Sequence, residues 1–157
     1  MEYILNINSI KENNIVIKKP IKNQNSNYLH YYKLLYSNEN FTLKYIIFNL
    51  NIENYNIVNE HNCYKLIINK NDVFFKSLKK LESLILNTCN KRIKKNVVLN
   101  CYNDLSLKEY IYMFTNYPNL KFLYLKISGI WEDEKNIGIV YKMYYNISTE
   151  KLSNIIC

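Results

Sequence analysis

Residues 120–146 read LKFLYLKISGIWEDEKNIGIVYKMYYN, two long alternating runs around a short acidic reversal, and this stretch holds the only Trp and both Gly of the chain. Successive side chains of a strand alternate between its two faces. On the first arm Leu123, Leu125, Ile127 and Trp131 therefore share one face, while Phe122, Tyr124, Lys126 and Ser128 share the other. The second arm sets Ile137, Ile139, Tyr141, Met143 and Tyr145 against Val140, Lys142, Tyr144 and Asn146. One face is apolar and the other aromatic and basic, the pattern of a β-hairpin lying on a core. Glu132, Asp133, Glu134, Lys135 and Asn136 are polar, so the chain is expected to reverse there in solvent. Gly129 and Gly138 flank the reversal, where each suits a bulge or a close backbone approach.

Working outward, residues 3–7 and 14–18 read as two short strands forming a hairpin, and the polar segment 19–27, with Pro20, reads as a flexible loop. Residues 29–36 and 41–50 predict a second hairpin around Ser37-Asn38-Glu39-Asn40. Residues 63–68 predict a further strand, preceded by a short extended piece around Tyr55 and Val58. Helical spacing appears over residues 72–90, with Asn71 or Asp72 as the cap. There Val73, Phe74, Leu78, Leu81, Leu84 and Ile85 form the apolar face, and Lys76, Lys79, Lys80, Glu82 and Ser83 the remainder. The basic group Lys91, Arg92, Lys94 and Lys95 follows, then a run at 97–102 that reads as a strand. Ser106 and Glu109 have capping-box spacing and predict a shorter helix carrying Leu107, Tyr110, Ile111 and Phe114. Residues 148–157 read as a weakly patterned C-terminal tail.

Hairpin-like connections and two-sided alternation argue for an α+β, mainly β chain. The expected fold is an antiparallel β-barrel of OB type with one substantial inserted helix and a second shorter helix, a single domain over residues 1–157. With two Gly and two Pro in the chain, Asn is left to make most of the turns.

The length permits a real core without disulfide or metal. No apolar run spans a bilayer and the N-terminus lacks a cationic leader, so an intracellular protein with no membrane partner is expected. Cys63, Cys89, Cys101 and Cys157 show no CxxC spacing and predict free thiols. A net charge of +8 favours polyanionic partners, and sixteen Tyr supply stacking surfaces. Codon bias toward A and T enriches Lys, Asn, Ile and Tyr as well, and a single Arg, Arg92, fits that account equally.

Two glycines cannot build a phosphate-binding loop. His30 and His61 are the only histidines, and the best metal fragment, His61-Asn-Cys63, has no partner at ligand spacing. The acids at 132–134 read as a solvated turn rather than a catalytic pair. No enzyme, no metal and no cofactor is therefore expected. Trp131 is assigned to the core by its parity with Leu123, over contact with a base. The nominated nucleic-acid-binding residues are Tyr124, Lys126, Lys142 and Tyr144, alternating ring and ammonium at strand spacing. Tyr31, Lys33 and Lys44, with Lys18, Lys19 and Lys22, would extend them into a groove. The pattern alone fits a solvated sheet face equally well.

Residues 125–142 run LKISGIW, a few polar residues, IG, an aliphatic pair and YK. That order resembles the C-terminal signature of a family carried by large nucleocytoplasmic DNA viruses, itself similar to the phage-type replicative single-stranded DNA-binding proteins. FFKSLKKLE at 74–82 resembles the helix preceding the signature, and the N-terminal part shares only the general pattern. The resemblance implies an OB-fold and non-sequence-specific binding of single-stranded DNA in viral replication, recombination or repair. It also implies self-association as a homo-oligomer, viral replication proteins as further partners, and an infected cell as the setting, in the nucleus or at a cytoplasmic replication site. Phage-type proteins end in an acidic tail, whereas this sequence ends KLSNIIC, so recruitment through a tail is not implied. The alternative is a viral protein-interaction or structural protein that uses the same β-scaffold with Tyr anchors and no DNA.

Overall fold

The structure is a computed structural model and describes residues 4–22, 28–50, 52, 55–60, 63–69, 73–108, 110–113, 122–146 and 153–155. Extended runs dominate, in keeping with the β-branched and aromatic content. The N-terminal strands are β1 (Ile4–Leu5), β2 (Ile15–Ile17), β3 (Ile21–Lys22), β4 (His30–Ser37), β5 (Thr42–Leu43) and β6 (Ile46–Asn49). Then come β7 (Tyr55–Glu60), β8 (Cys63–Ile68), helix α1 (Val73–Ile93), β9 (Asn96–Val97) and helix α2 (Asn100–Lys108). The chain continues as β10 (Tyr110–Met113), β11 (Phe122–Glu132), β12 (Asn136–Asn146) and β13 (Ser153–Ile155).

β11 is the spine. β12 pairs with it from Phe122↔Asn146 to Glu132↔Ile137, closing on a turn in which Asp133 accepts from the backbone N–H of Lys135 and Asn136. Those two N–H groups hold the Asp133 carboxyl below its ordinary range. The other edge of β11 is shared, with β6 along Tyr124–Ile127 and β4 along Gly129–Glu132. The change of partner falls at a register shift between Ile127 and Gly129, a bulge that inserts Ser128 and bends the strand. β4 then runs on to pair with β2 and β5. A strand whose two ends belong to different parts of a sheet forces that sheet to curl. Among the described residues the result is mainly β with two helices, an OB-like curled half-barrel with one long inserted helix and one shorter helix, plus a second sheet ordered β10-β8-β7.

The inner face carries the core. Leu34, Phe48, Leu125, Ile127, Ile130 and Ile139 meet Phe74, Leu78, Leu81 and Ile85 of α1. The helix buries positions 74/75, 78, 81/82, 85/86 and 89, a stripe rotated slightly from the expected one: Val73 is exposed and Glu82 is buried. Cys89 and Cys101 are buried thiols outside any disulfide, and burial pushes Cys89 up to about 12.

Several local expectations are corrected. The first two strands do not form a hairpin: β1 runs parallel to β6 and β2 antiparallel to β4, because two 3-10 turns, the first capped by Asn6, carry them to different partners. The expected loop at 19–27 contains β3, which pairs Ile21 with Tyr31 and Lys22 with His30; residues 23–27 lie outside the described residues. The expected strand 41–50 is broken by a bend at Lys44 and Tyr45. Residues 100–102 are helical rather than extended, and Tyr110 and Ile111 are strand rather than helix. α2 starts at Asn100 because Glu82 of α1 accepts from the N–H of Cys101 at 2.9 Å and of Tyr102 at 2.8 Å. A carboxylate there satisfies two of the donors a helix start leaves open. α1 itself stops at Lys94, whose φ of 60° is the one positive value on a non-Gly residue among those described. In the expected tail, Ser153–Ile155 pairs with β12.

Candidate nucleic-acid interface

The bulge decides which side chains face outward. Cross-strand partners point to the same side, so Tyr124 faces out with Tyr144, Lys126 with Lys142, Gly129 with Val140 and Trp131 with Gly138. Reading alternation straight through Ser128 put Trp131 on the core face; the extra residue reverses that, and Ile130 fills the core position instead. The signal was present in the sequence, since Leu125, Ile127 and Ile130 break the two-residue period across Ser128-Gly129.

β4 completes the face. Tyr31 lies opposite Trp131 and Lys33 opposite Gly129, so two residues nominated from the N-terminal half join the hairpin on one surface. Both glycines prove to be seats for rings. A Cβ at Gly129 would stand 2.3 Å from the Tyr31 ring, and one at Gly138 would stand 2.3 Å from Trp131. Tyr31 is fixed further by donating its hydroxyl to Ser128 O at 2.9 Å. Tyr28, which no local pattern singles out, stacks on Trp131 with ring centroids 4.7 Å apart. Trp131 is 8% exposed and Tyr28 40%, so Tyr28 is the more accessible ring of this stack.

The cations differ in freedom. Lys142 is exposed. Its cross-strand neighbour Lys126 lays its ammonium over Tyr45, 3.7 Å from the ring centroid, and over Tyr144 at 5.7 Å. Cation–π contact holds the charge in place without neutralising it. Lys33 and Tyr144 are half-buried. Tyr124 is 7% exposed, and its burial pushes the phenol up. Its ring supports the sheet rather than offering a platform. Lys44 is exposed on the bend before Tyr45, off the paired rows.

The remaining charged groups mostly tie elements together. Lys91 pairs with Glu12, Arg92 donates to Ile17 O and Lys95 donates to Glu134 O. Glu132, expected in solvent, is buried at the strand end, where Tyr32 donates to it at 2.5 Å and Lys95 and His30 stand 3.5 and 3.4 Å away. Burial, then the bond and charge of Glu132, push Tyr32 up to about 12. Of the three acids only Asp133 and Glu134 stay at the polar tip, with Lys135 and Asn136. His61 lies outside the described residues, and among those described no three His, Cys, Asp or Glu side chains could hold a metal ion.

Beside the outer face, α2 runs along β12. Asn100, Asp104 and Lys108 recur every four residues and so share one helical stripe. Asn100 takes both the N–H and the C=O of Ile139, at 2.8 and 3.0 Å, in the manner of a strand partner. One turn on, Tyr141 donates to Asp104 Oδ2 at 2.9 Å. Between this stripe, β12 and the Tyr28–Trp131 stack lies a groove of about 320 Å³. Among the described residues no helix is long and apolar enough to cross a membrane. No protein-family model, no curated protein and no solved structure matches the chain.

Proposed function

We propose that this chain binds single-stranded DNA, largely without regard to sequence, across the outer face of β4, β11 and β12. The observation that carries the reading is the convergence there of Tyr31, Lys33, Lys126, Lys142, Tyr144 and the Tyr28–Trp131 stack. Rings that receive bases beside ammonium groups that follow phosphates are what a single-strand groove needs. Lys126 and Lys142 add a further hint, because like charges directly opposite one another destabilise a sheet unless an anion comes between them. The resemblance of the hairpin to the viral family supports a place in DNA replication, recombination or repair, with self-association.

Anisotropy of a labelled oligothymidine is expected to show binding whose log K falls linearly with log salt. Lys142→Ala should flatten that slope by about one. Tyr144→Ala and Tyr28→Ala should weaken binding by about 1–3 kcal/mol per lost stack while leaving the slope unchanged. No binding at low salt overturns the reading. A protein partner on the same face is the second reading, favoured by Ile21, 61% exposed and paired beside Tyr31. Capture that survives nuclease treatment, with no oligonucleotide signal, would establish it.

A further inference from the structure

We propose that Asp104 reads the exocyclic amino group of a base seated in the groove between α2 and β12, so that cytosine-bearing strands bind in preference to thymine-bearing ones. The proposal rests on single-strand binding as proposed above and adds a modest base preference to it. The groove is about 320 Å³, at the small end of the range for ligand clefts, roughly 300–1,000 Å³, and takes one base rather than a duplex. Its walls divide the work. Tyr28, 40% exposed, stacks on Trp131, which rests on its Gly138 seat. Lys108 and Lys142 line the same groove and suit the flanking phosphates. Among the described residues that line the groove, Asp104 is the one carboxylate.

A carboxylate there repels phosphate and favours a ligand group that donates a hydrogen bond. Tyr141 fixes Oδ2, and among the described residues Oδ1 receives no hydrogen bond and Asp104 forms no ion pair. The helical stripe that ties Asn100 to Ile139 thus delivers the next carboxylate, oriented, at the groove. Cytosine presents an N4 amino donor where thymine presents the O4 acceptor, and Asp or Glu accepts from the former and clashes with the latter.

The test is a competition between oligocytidine and oligothymidine of equal length, on the full chain and its Asp104→Ala and Tyr141→Phe variants. The wild-type chain should prefer cytosine by about tenfold. Asp104→Ala should bring the ratio to within about twofold, by weakening the cytosine complex, which loses its acceptor, and tightening the thymine complex, which loses a repulsive carboxylate. Tyr141→Phe removes the tie but keeps the carboxylate, so most of the preference should survive. Equal binding of the two oligonucleotides by the wild-type chain, or an unchanged ratio in Asp104→Ala, overturns the proposal and leaves single-strand binding standing. Failure of both oligonucleotides to bind at low salt removes both readings.

Discussion

Replacing Glu82 by Ala should cost the fold about 2–4 kcal/mol, because it strands the two buried N–H groups of Cys101 and Tyr102 that the carboxylate now accepts. Glu82 is fully buried on the face of α1 that meets α2. Burial is the largest influence on its carboxyl and pushes it up to about 7, against the lowering effect of the two N–H donors and with a further push from Asp104. A pH signature follows. Unfolded, the carboxyl loses its proton near pH 4.5; folded, it keeps the proton until about pH 7. Between those values the folded state binds more protons, so the contribution of Glu82 to stability is full at low pH, falls as pH rises from about 4.5 to 7, and is level above that. At roughly 1.4 kcal/mol per pH unit the fall is of order 3 kcal/mol. Urea unfolding at pH 5 and pH 8 should therefore show a larger penalty for Glu82→Ala at pH 5, and a flatter pH dependence in the variant than in the wild-type chain. Parallel curves would mean that Glu82 is ionised throughout and acts only as a cap. Because α2 carries Asn100, Asp104 and Lys108, the same substitution should loosen the groove wall and blunt any base preference.

What could be read from the sequence was what alternation and helical spacing record locally. The two arms of residues 120–146 pair as expected, with Leu125 opposite Met143 and Lys126 opposite Lys142, because a half-buried strand repeats its chemistry every second residue. α1 was legible for the same reason, at 3.6 residues per turn. The failures share a cause, a local pattern overruled by a distant partner. Ser106 and Glu109 imitate a helix start, yet the helix begins six residues earlier than Ser106, at Asn100, because its cap is contributed by Glu82 from another helix. Glu82 looked like a surface acid because its partners, Cys101 and Tyr102, are nineteen and twenty residues away. Trp131 is buried as expected but on the opposite face, because one inserted residue at Ser128 reverses every side chain beyond it. For the site, the Tyr and Lys composition of the face was legible and its assembly was not: Tyr31 meets Trp131 only because β4 takes over the edge of β11 where β6 leaves it.

That handover makes the glycine seats the most sensitive points of the surface, and Gly138→Ala should show it. The added methyl would stand 2.3 Å from Trp131 and 2.4 Å from Asn100 Oδ1, distances at which something must move. Overpacking of this kind costs about 1–3 kcal/mol and occasionally more, and here both neighbours are constrained, Trp131 by the Tyr28 stack and Asn100 by its two bonds to Ile139. A loss near the upper end, about 3 kcal/mol, is expected. Trp131 is the sole tryptophan, so its emission reports the seat directly and should shift to the red as the ring is pushed toward solvent. In a Trp131→Leu background the ring is gone and only the Asn100 conflict remains, so the penalty should shrink by about 1–2 kcal/mol, a coupling typical of residues in direct contact. Displacing the stack should also weaken oligonucleotide binding at every salt concentration without changing the salt slope, since no cation is removed. If Gly138→Ala leaves stability and tryptophan emission unchanged, the ring does not rest on the glycine and the outer face is not built as described. If instead stability falls, the emission shifts and affinity drops together, the two glycines are what let a short-turned, glycine-poor chain carry flat rings against its own backbone, and the binding surface and the bulge are one device.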